Sequence, residues 1–138
     1  MKYALVLLTI LALVGCKTQT DTADRISRTN TAVNEYLVYR SDSGDYWQSP
    51  EESLLYRTGD CEDYAILKAD ALGGGDIHVV QVAGQGQHAI LYYQGYYLDN
   101  RFSFIYDEVF KQQEYGSTIV ALAVSEWSTI KNFRFRSP

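Results

Sequence analysis

The pattern of apolar and polar positions divides the chain into a helical part and a strand part. In the first half, apolar side chains recur three or four positions apart, as on one face of a helix. From residue 76 onward, short runs rich in Val, Ile and Tyr follow the two-residue period of strands. Helices followed by strands predict an α+β fold, with the helices packed on an antiparallel sheet.

Three helices are predicted in the first half. The first covers about residues 21–40. Its periodic apolar side chains are Ile26, Val33, Tyr36 and Leu37. The second begins after Ser49, which is placed to form a capping box with Glu52. The third begins after Asp60 and runs through "CEDYAILKADAL" to the glycines at 73–75, which end it.

The strands are separated by turn signals. "DIHVVQVAG" forms the first strand, and "HAILYYQGYYLDN" folds back on itself at Gln94-Gly95 to give two more. "STIVALAVS" predicts a later strand. In "NFRFR", Arg134 and Arg136 alternate with phenylalanines, which predicts a last strand with the arginines on its exposed face.

The first fifteen residues have the pattern of a leader. Lys2 precedes an uncharged apolar run over 3–15, which is shorter than the ~20 residues of a membrane span. The run ends in "LVGC", which resembles the lipobox of bacterial lipoproteins, where the cysteine is acylated and becomes the mature N-terminus. We therefore expect a signal peptide, lipidation at Cys16, a polar tether over 16–24 and one domain over 25–138. Ordinary cleavage near the same point is the alternative.

The charge of the chain restricts the class of molecule that we expect it to bind. Removal of the leader removes Lys2 and changes the formal net charge from −5 to −6. The sequence has no cluster of Lys and Arg, which argues against nucleic acid as a partner. We expect a bacterial periplasmic protein that is attached to the membrane by its lipid. By the same lipoprotein resemblance, Lys17 in place of Asp after the lipidated cysteine favours the outer membrane.

The second cysteine is the first candidate for chemistry. If Cys16 carries lipid, Cys61 has no disulfide partner in an oxidising compartment. Its neighbours Asp60, Glu62 and Asp63 indicate an exposed position. A place in the first turn of a helix favours the thiolate and so predicts a nucleophile. A buried structural cysteine and an intermolecular disulfide are the alternatives.

A nucleophile needs a base, and the chain has two histidines. His88 opens the second strand, and Asp99 follows after the turn at Gln94-Gly95, so the two side chains are expected to meet across neighbouring strands. His78 lies among apolar residues of the first strand and is expected to be a core or edge histidine. A zinc site built from Cys61, both histidines and Asp99 has possible ligand types but lacks a close-spaced ligand pair.

Three segments carry a family resemblance. "GDCEDYAILK", followed by "HAILYY" and "YYLDN", resembles the bacterial transglutaminase-like cysteine peptidases, exported relatives of papain and the transglutaminases. "W-x-S-P-E-E-S-L" before the cysteine is similar to the family too, and the resemblance covers about residues 40–105. It implies a papain-like core with the cysteine at the N-terminus of the central helix. It also implies a catalytic triad of Cys61, His88 and Asp99.

The implied reaction is acyl transfer. The Cys61 thiolate attacks a carbonyl carbon, His88 protonates the leaving amine, and Asp99 fixes the imidazole tautomer. The N–H of Cys61 is one oxyanion donor, and Gln48 or Trp47 is the candidate for the second. Water as acceptor gives a peptidase or amidase acting on a periplasmic or surface protein. A lysine as acceptor gives a cross-linking acyltransferase, and a non-catalytic binding module of the same fold is the third alternative.

The acids beside the cysteine have two interpretations. Asp60 and Asp63 are favourable at a helix start as capping residues. Together with Glu62 they also offer the hard oxygens that Ca²⁺ prefers, to which Asn100 could add a carbonyl oxygen. The spacing does not match an EF-hand loop. The resemblance implies a calcium site, because some members of that family that release surface adhesins look calcium-dependent. The acyl-transfer chemistry itself requires no cofactor.

Overall fold

The N-terminal segment is one long helix that ends at a short strand. The computed structural model describes the backbone of residues 2–135 and the side chains of residues 19–135 except residue 129. Helix α1 (Lys2–Tyr36) ends four residues before the predicted boundary, because β1 (Val38–Tyr39) pairs with a neighbouring strand instead. The leader and Cys16 lie outside the residues whose side chains are described. Within the described part of the chain, no helix has the length and apolar character needed to cross a membrane.

Local signals place the next two helices as predicted. Helix α2 (Pro50–Tyr56) has the expected capping box: Ser49 Oγ accepts from Glu52 N, and Glu52 Oε2 accepts from Ser49 N at 2.8 Å. Strand β2 (Thr58–Gly59) follows and pairs in parallel with β1. Helix α3 (Cys61–Leu72) then begins at the cysteine and ends at Gly73 in the left-handed region. Most of its side chains are buried, which makes α3 the central helix.

The sheet is antiparallel, as predicted. Its strands are β3 (Asp76–Val82), β4 (Gly86–Tyr93), β5 (Tyr96–Leu98) and β6 (Val120–Ala123), in the order β5-β4-β3-β6. The turn between β4 and β5 is at Gln94-Gly95, where both residues have positive φ. Helix α3 packs on β4, so the start of the helix lies beside the start of that strand.

The C-terminal part differs most from the sequence predictions. Strand β6 is shorter than the predicted segment, and helices α4 (Glu108–Tyr115) and α5 (Trp127–Ile130) were not predicted. The described part of "NFRFR" is not a strand. Phe133 and Phe135 pack against the Trp47 ring instead, each with a centroid distance of 5.9 Å. Burial of these two rings replaces backbone pairing as the force that orders the segment.

Candidate active site

Asp99 is the centre of a buried hydrogen-bond network. Its Oδ1 is 2.8 Å from His88 Nε2 and accepts from Arg101 N at 2.9 Å. Its Oδ2 accepts from Tyr106 Oη at 2.9 Å and from Tyr115 Oη. Although burial alone raises the pKa of Asp99, the hydrogen bonds from His88, Tyr115 and Arg101 lower it to about 2. The carboxylate is therefore ionised and fixed in place.

The β4–β5 hairpin brings His88 and Asp99 together. Leu91 pairs with Leu98, so His88 near the start of β4 and Asp99 just after β5 lie at the same end of the hairpin. Both side chains are buried. Since Nε2 of the imidazole is bonded to Asp99, Nδ1 is the ring nitrogen left to exchange a proton with a nucleophile.

Two helices hold the loop that carries Asp99. From α1, Asn34 Nδ2 donates to the Asp99 and Phe102 carbonyls, both at 3.0 Å, and Asn30 Nδ2 donates to the Phe102 carbonyl at 3.1 Å. From α3, the fully buried Lys68 interacts electrostatically with Asp99. Burial lowers the pKa of Lys68 to about 7, with the charge of Asp99 acting in the opposite direction.

Cys61 is buried, contrary to the exposed position expected from its charged neighbours. Only 8% of its surface is exposed. Its Sγ accepts from Ala89 N at 3.5 Å and donates to Glu62 Oε2 at 3.2 Å. Burial raises the pKa of the thiol well above its ordinary value, and the charge of Glu62 raises it further. The position of Cys61 at the start of α3 is therefore not sufficient by itself to convert the thiol into a thiolate.

Asp63, one of the three acids beside the cysteine, has a structural role. Its carboxylate accepts from Gln48 N at 2.8 Å, from Gln48 Nε2 at 2.9 Å and from Asp60 N at 3.1 Å. This arrangement requires glycine at position 59, because a Cβ there would lie 2.6 Å from the Asp63 Cβ. Through these hydrogen bonds, Asp63 connects the start of α3 to the segment before α2.

The other two acids are incompletely paired. Asp60 Oδ1 and Glu62 Oε1 are buried and have no hydrogen-bond partner. Burial, followed by the neighbouring Asp60, raises the pKa of Glu62 to about 9. Burial also raises the pKa of Asp60. The described side chains of His, Cys, Asp and Glu include no group of three that is placed to hold a metal ion.

Two adjoining cavities open at Cys61. Both are lined by Cys61, Tyr39, Gln85 and Gln87. The first, of about 320 Å³, is also lined by Val82, His88, Asn100 and Arg101. The second, of about 280 Å³, is acidic on one side, where it is lined by Asp42, Asp45, Asp60 and Glu62. Asn100 lines the cavity that contains the imidazole, its Oδ1 is buried without a hydrogen-bond partner, and its role as a shared ligand stays a prediction.

The predicted second oxyanion donor has no support in this geometry. Neither Trp47 nor Gln48 lines a cavity that contains Cys61. The Trp47 ring is buried against two phenylalanines, and Gln48 Nε2 is bonded to Asp63 Oδ2 and the Thr58 carbonyl. His78 also lines neither cavity. It is half-buried in the sheet, where its Nδ1 lies 3.2 Å from Thr118 Oγ1.

Sequence reasoning missed several residues of the site. Tyr106 and Tyr115 bind the Asp99 carboxylate, Tyr39 lines both cavities, and Asp42 lines the acidic one. No local pattern marks these positions, since each reaches the site through a contact between distant parts of the chain.

The comparisons identify the fold. No family model matches the chain, and no curated protein matches it. Solved structures of Legionella pneumophila LapG do match. The calcium-bound form has a TM-score of 0.61 at 23% identity over 71% of this chain and 63% of LapG. Another LapG structure has a TM-score of 0.60 at 20% identity, over 78% and 75% of the two chains. An EGTA-treated form has a TM-score of 0.55 at 24% identity, over 72% and 60%.

This similarity establishes an α+β fold of the transglutaminase-like type, with Cys61 at the start of the central helix. The chain spans less than two thirds of the length of the calcium-bound LapG chain.

Proposed function

We propose that this protein is a cysteine peptidase or amidase that uses Cys61, His88 and Asp99 for acyl transfer. The observation that carries the proposal is the 2.8 Å contact between His88 Nε2 and Asp99 Oδ1, in a cavity that also contains Cys61. A carboxylate with a low pKa on one imidazole nitrogen fixes the tautomer in which the other nitrogen is a base. The LapG fold supports the proposal by placing the cysteine at the helix start.

The reaction follows from this arrangement. Nδ1 of His88 takes the proton of the Cys61 thiol, and the thiolate sulfur forms a bond to the carbonyl carbon of an amide substrate. The amide N–H of Cys61, at the start of α3, is a donor to the oxyanion. His88 then returns its proton to the leaving amine as the C–N bond breaks. Water, activated by the same imidazole, hydrolyses the thioester and restores the thiol.

The raised pKa of the thiol is the obstacle to this chemistry, and the acidic cavity bears on it. Asp60 and Glu62 each have a buried carboxylate oxygen without a partner, and such oxygens suit a calcium ion. In this proposal Asp63 positions the helix start, because Gln48 and Asp60 N donate three hydrogen bonds to its carboxylate. We propose that Asp60 and Glu62 hold Ca²⁺ together with main-chain carbonyls and water. A bound ion would supply the positive charge that favours the thiolate.

The nucleophile and the base are tested by alkylation. In a Cys16→Ser background Cys61 is the only thiol, and its rate of reaction with iodoacetamide at pH 7 reports the thiolate. We expect His88→Ala to slow this reaction at least tenfold, because the imidazole no longer accepts the proton. Cys61→Ala should lose all alkylation and all turnover. Equal rates in wild type and His88→Ala would overturn the proposal and leave a non-catalytic binding module.

The calcium site is tested by calorimetry and melting. Calcium at one hundred times its Kd should stabilise the wild type by about 2.7 kcal/mol by mass action, and EGTA should reverse the effect. A double variant, Asp60→Asn with Glu62→Gln, should not respond. Asp70→Asn, which changes an exposed acid on the same helix, should respond like the wild type. Absence of both heat and a melting shift in the wild type would refute the site.

The membrane anchor remains a proposal from the sequence. We propose that Cys16 is acylated and that the protein acts in the periplasm on a protein or peptide substrate. Mass spectrometry of the membrane-extracted protein should show the added mass of acyl chains on Cys16, and Cys16→Ser should lack it. A free thiol at Cys16 in that material would contradict the proposal.

A further inference from the structure

The edge of β1 that faces away from β2 is available for backbone pairing. Val38 N donates to the Arg57 carbonyl at 2.9 Å, and Arg40 N donates to the Gly59 carbonyl at 2.8 Å. Because successive residues of a strand direct their backbone groups to opposite edges, the N–H and C=O of Tyr39 point to the outer edge. Val38 and Tyr39 are both more than half exposed. A sheet edge of this kind is a template for another strand.

This edge lies beside the candidate nucleophile. The parallel register places Tyr39 opposite Gly59, two residues before Cys61. Tyr39 lines both cavities that open at Cys61, and Gln85 of the β3–β4 connection and Gln87 near the start of β4 line both as well. The cavities thus form a trough, bounded by β1 and by this connection, that passes the sulfur atom.

We propose that the outer edge of β1 binds an extended segment of the substrate polypeptide as an added strand, through the N–H and C=O of Tyr39. The inference rests on the proposed function and names the substrate class of the same site: a flexible, extended peptide rather than a small amide. Main-chain pairing of this kind supplies affinity that is independent of side-chain identity, while neighbouring pockets select side chains. Pairing at Tyr39 holds the substrate backbone beside Cys61.

The Tyr39→Pro variant tests the role of the backbone N–H of residue 39 separately from that of the side chain. It removes the N–H of Tyr39, which β2 does not use, so that the bonds from Val38 N to the Arg57 carbonyl and from Arg40 N to the Gly59 carbonyl are preserved. Tyr39→Ala is the matched control, because it removes the same ring and keeps the N–H. The two variants therefore differ chiefly in the donor that the proposal assigns to the substrate.

The probes are an Ala-Ala-Ala chloromethyl ketone and iodoacetamide, applied to the full chain with Cys16→Ser and calcium present. The peptide reagent reports backbone binding and alkylation together, whereas iodoacetamide reports alkylation alone. The quantity compared is the ratio of the two second-order rate constants within each variant. We expect this ratio to be about tenfold lower in Tyr39→Pro than in Tyr39→Ala, as for the loss of a typical hydrogen bond. Equal ratios would overturn the proposal.

A second arm uses the wild-type protein alone, which keeps the test decisive if Tyr39→Pro does not fold. Methylation of the amide nitrogens of the peptide reagent should lower its ratio to iodoacetamide about tenfold, since the reagent then lacks donors for the Tyr39 carbonyl. A methylated reagent as fast as the parent would overturn the proposal. Failure of the proposed function is distinct, because iodoacetamide would then show no dependence on His88.

Discussion

The two halves of the candidate site differ in how completely their polar groups are paired. On the sheet side, Asp99 accepts four hydrogen bonds and its pKa falls to about 2. On the helix side, Glu62 and Asp60 are buried with unpartnered oxygens, and the pKa of Glu62 rises to about 9. Burial is comparable on the two sides. The hydrogen bonds and the charge of His88 lower the pKa of Asp99 despite its burial, whereas burial and the neighbouring Asp60 raise that of Glu62.

This difference shows which half of the candidate site is fully organised by residues of the chain itself. The His88–Asp99 pair is organised by residues of the fold and needs nothing further to orient the imidazole. Burial, followed by the neighbouring Glu62, raises the pKa of the Cys61 thiol, so the neutral thiol is favoured until positive charge or a rearrangement compensates.

Removal of the Asp99 charge should have the largest effect. Asp99→Asn puts an amide where four donors converge, and we expect the free energy of unfolding at pH 7 to fall by about 3–5 kcal/mol, as for a broken buried pair. Turnover should fall on the order of 10⁴-fold through loss of the imidazole tautomer. Urea unfolding and kinetics measure the two effects. Asp107→Asn is the control, since asparagine still caps α4; an Asp99→Asn variant as stable as this control would break the comparison.

Removal of one donor should have a smaller effect that depends on pH. Tyr115→Phe deletes a hydrogen bond to the carboxylate and should cost about 1.5–3 kcal/mol at pH 7. Because the folded pKa of Asp99 is about 2 and its ordinary value is 3.8, the stability it contributes is present above pH 4 and is lost as the pH falls towards 2. The difference between variant and wild type should therefore shrink over that interval.

Urea unfolding at pH 7, 4, 3 and 2 measures this convergence. The control is Tyr96→Phe, whose hydroxyl has no recorded partner among the described side chains, and it should differ little from wild type at any of these pH values. A Tyr115→Phe deficit that persists unchanged at pH 2 would show that the hydroxyl acts through packing and not through the Asp99 charge.

The close packing of residue 59 against Asp63 is tested by adding one methyl group at position 59. Gly59→Ala places a Cβ 2.6 Å from the Asp63 Cβ, and the resulting overpacking should destabilise the protein by about 1–3 kcal/mol. Gly44→Ala, where a Cβ meets nothing within 4 Å, is the matched control and should be neutral. Thermal melting compares the two; equal melting temperatures would mean that Asp63 moves without cost.

The smallest change in the free energy of unfolding is expected for substitution of Glu62 on the helix side. In EGTA, Glu62→Gln replaces a buried, incompletely paired carboxyl group, which a pKa of about 9 keeps protonated at pH 7, with a neutral group of the same shape. We expect a change in the free energy of unfolding of less than about 1 kcal/mol, because little favourable pairing is lost. Urea unfolding in EGTA measures it beside Asp99→Asn. A loss as large as that of Asp99→Asn would erase the distinction between the two halves.

Local signals in the sequence predicted the parts of the fold that local forces decide. The capping box at Ser49 and Glu52 and the reversal at Gln94-Gly95 depend on neighbours a few residues away, and both are present. The burial of Glu62 was not predictable in this way. Charged side chains in a helix start usually face water, whereas this one is buried beside a cavity that distant segments such as Tyr39 and Gln85 help to line.

The same limit applies to the site. The meeting of His88 and Asp99 follows from one turn, so the sequence sufficed to predict it. The donors Tyr106 and Tyr115 reach Asp99 from the segments after β5, where no hydrophobic period predicted α4. The wrong prediction of a last strand at Phe133 and Phe135 has the same cause, since alternation fits either a strand or two rings packed on one indole.

The bonds from α1 to the Asp99 loop have a consequence for the order of folding. His88 and Asp99 are 11 residues apart, whereas Asn34 is 65 residues from Asp99 and Asn30 is 72 from Phe102. Closing the longer loops costs more chain entropy, so the hairpin contacts form before the helix contacts. The amides of α1 therefore find their acceptors only once the loop that ends at residue 102 has formed. The segment made earliest is therefore among the last to reach its native place.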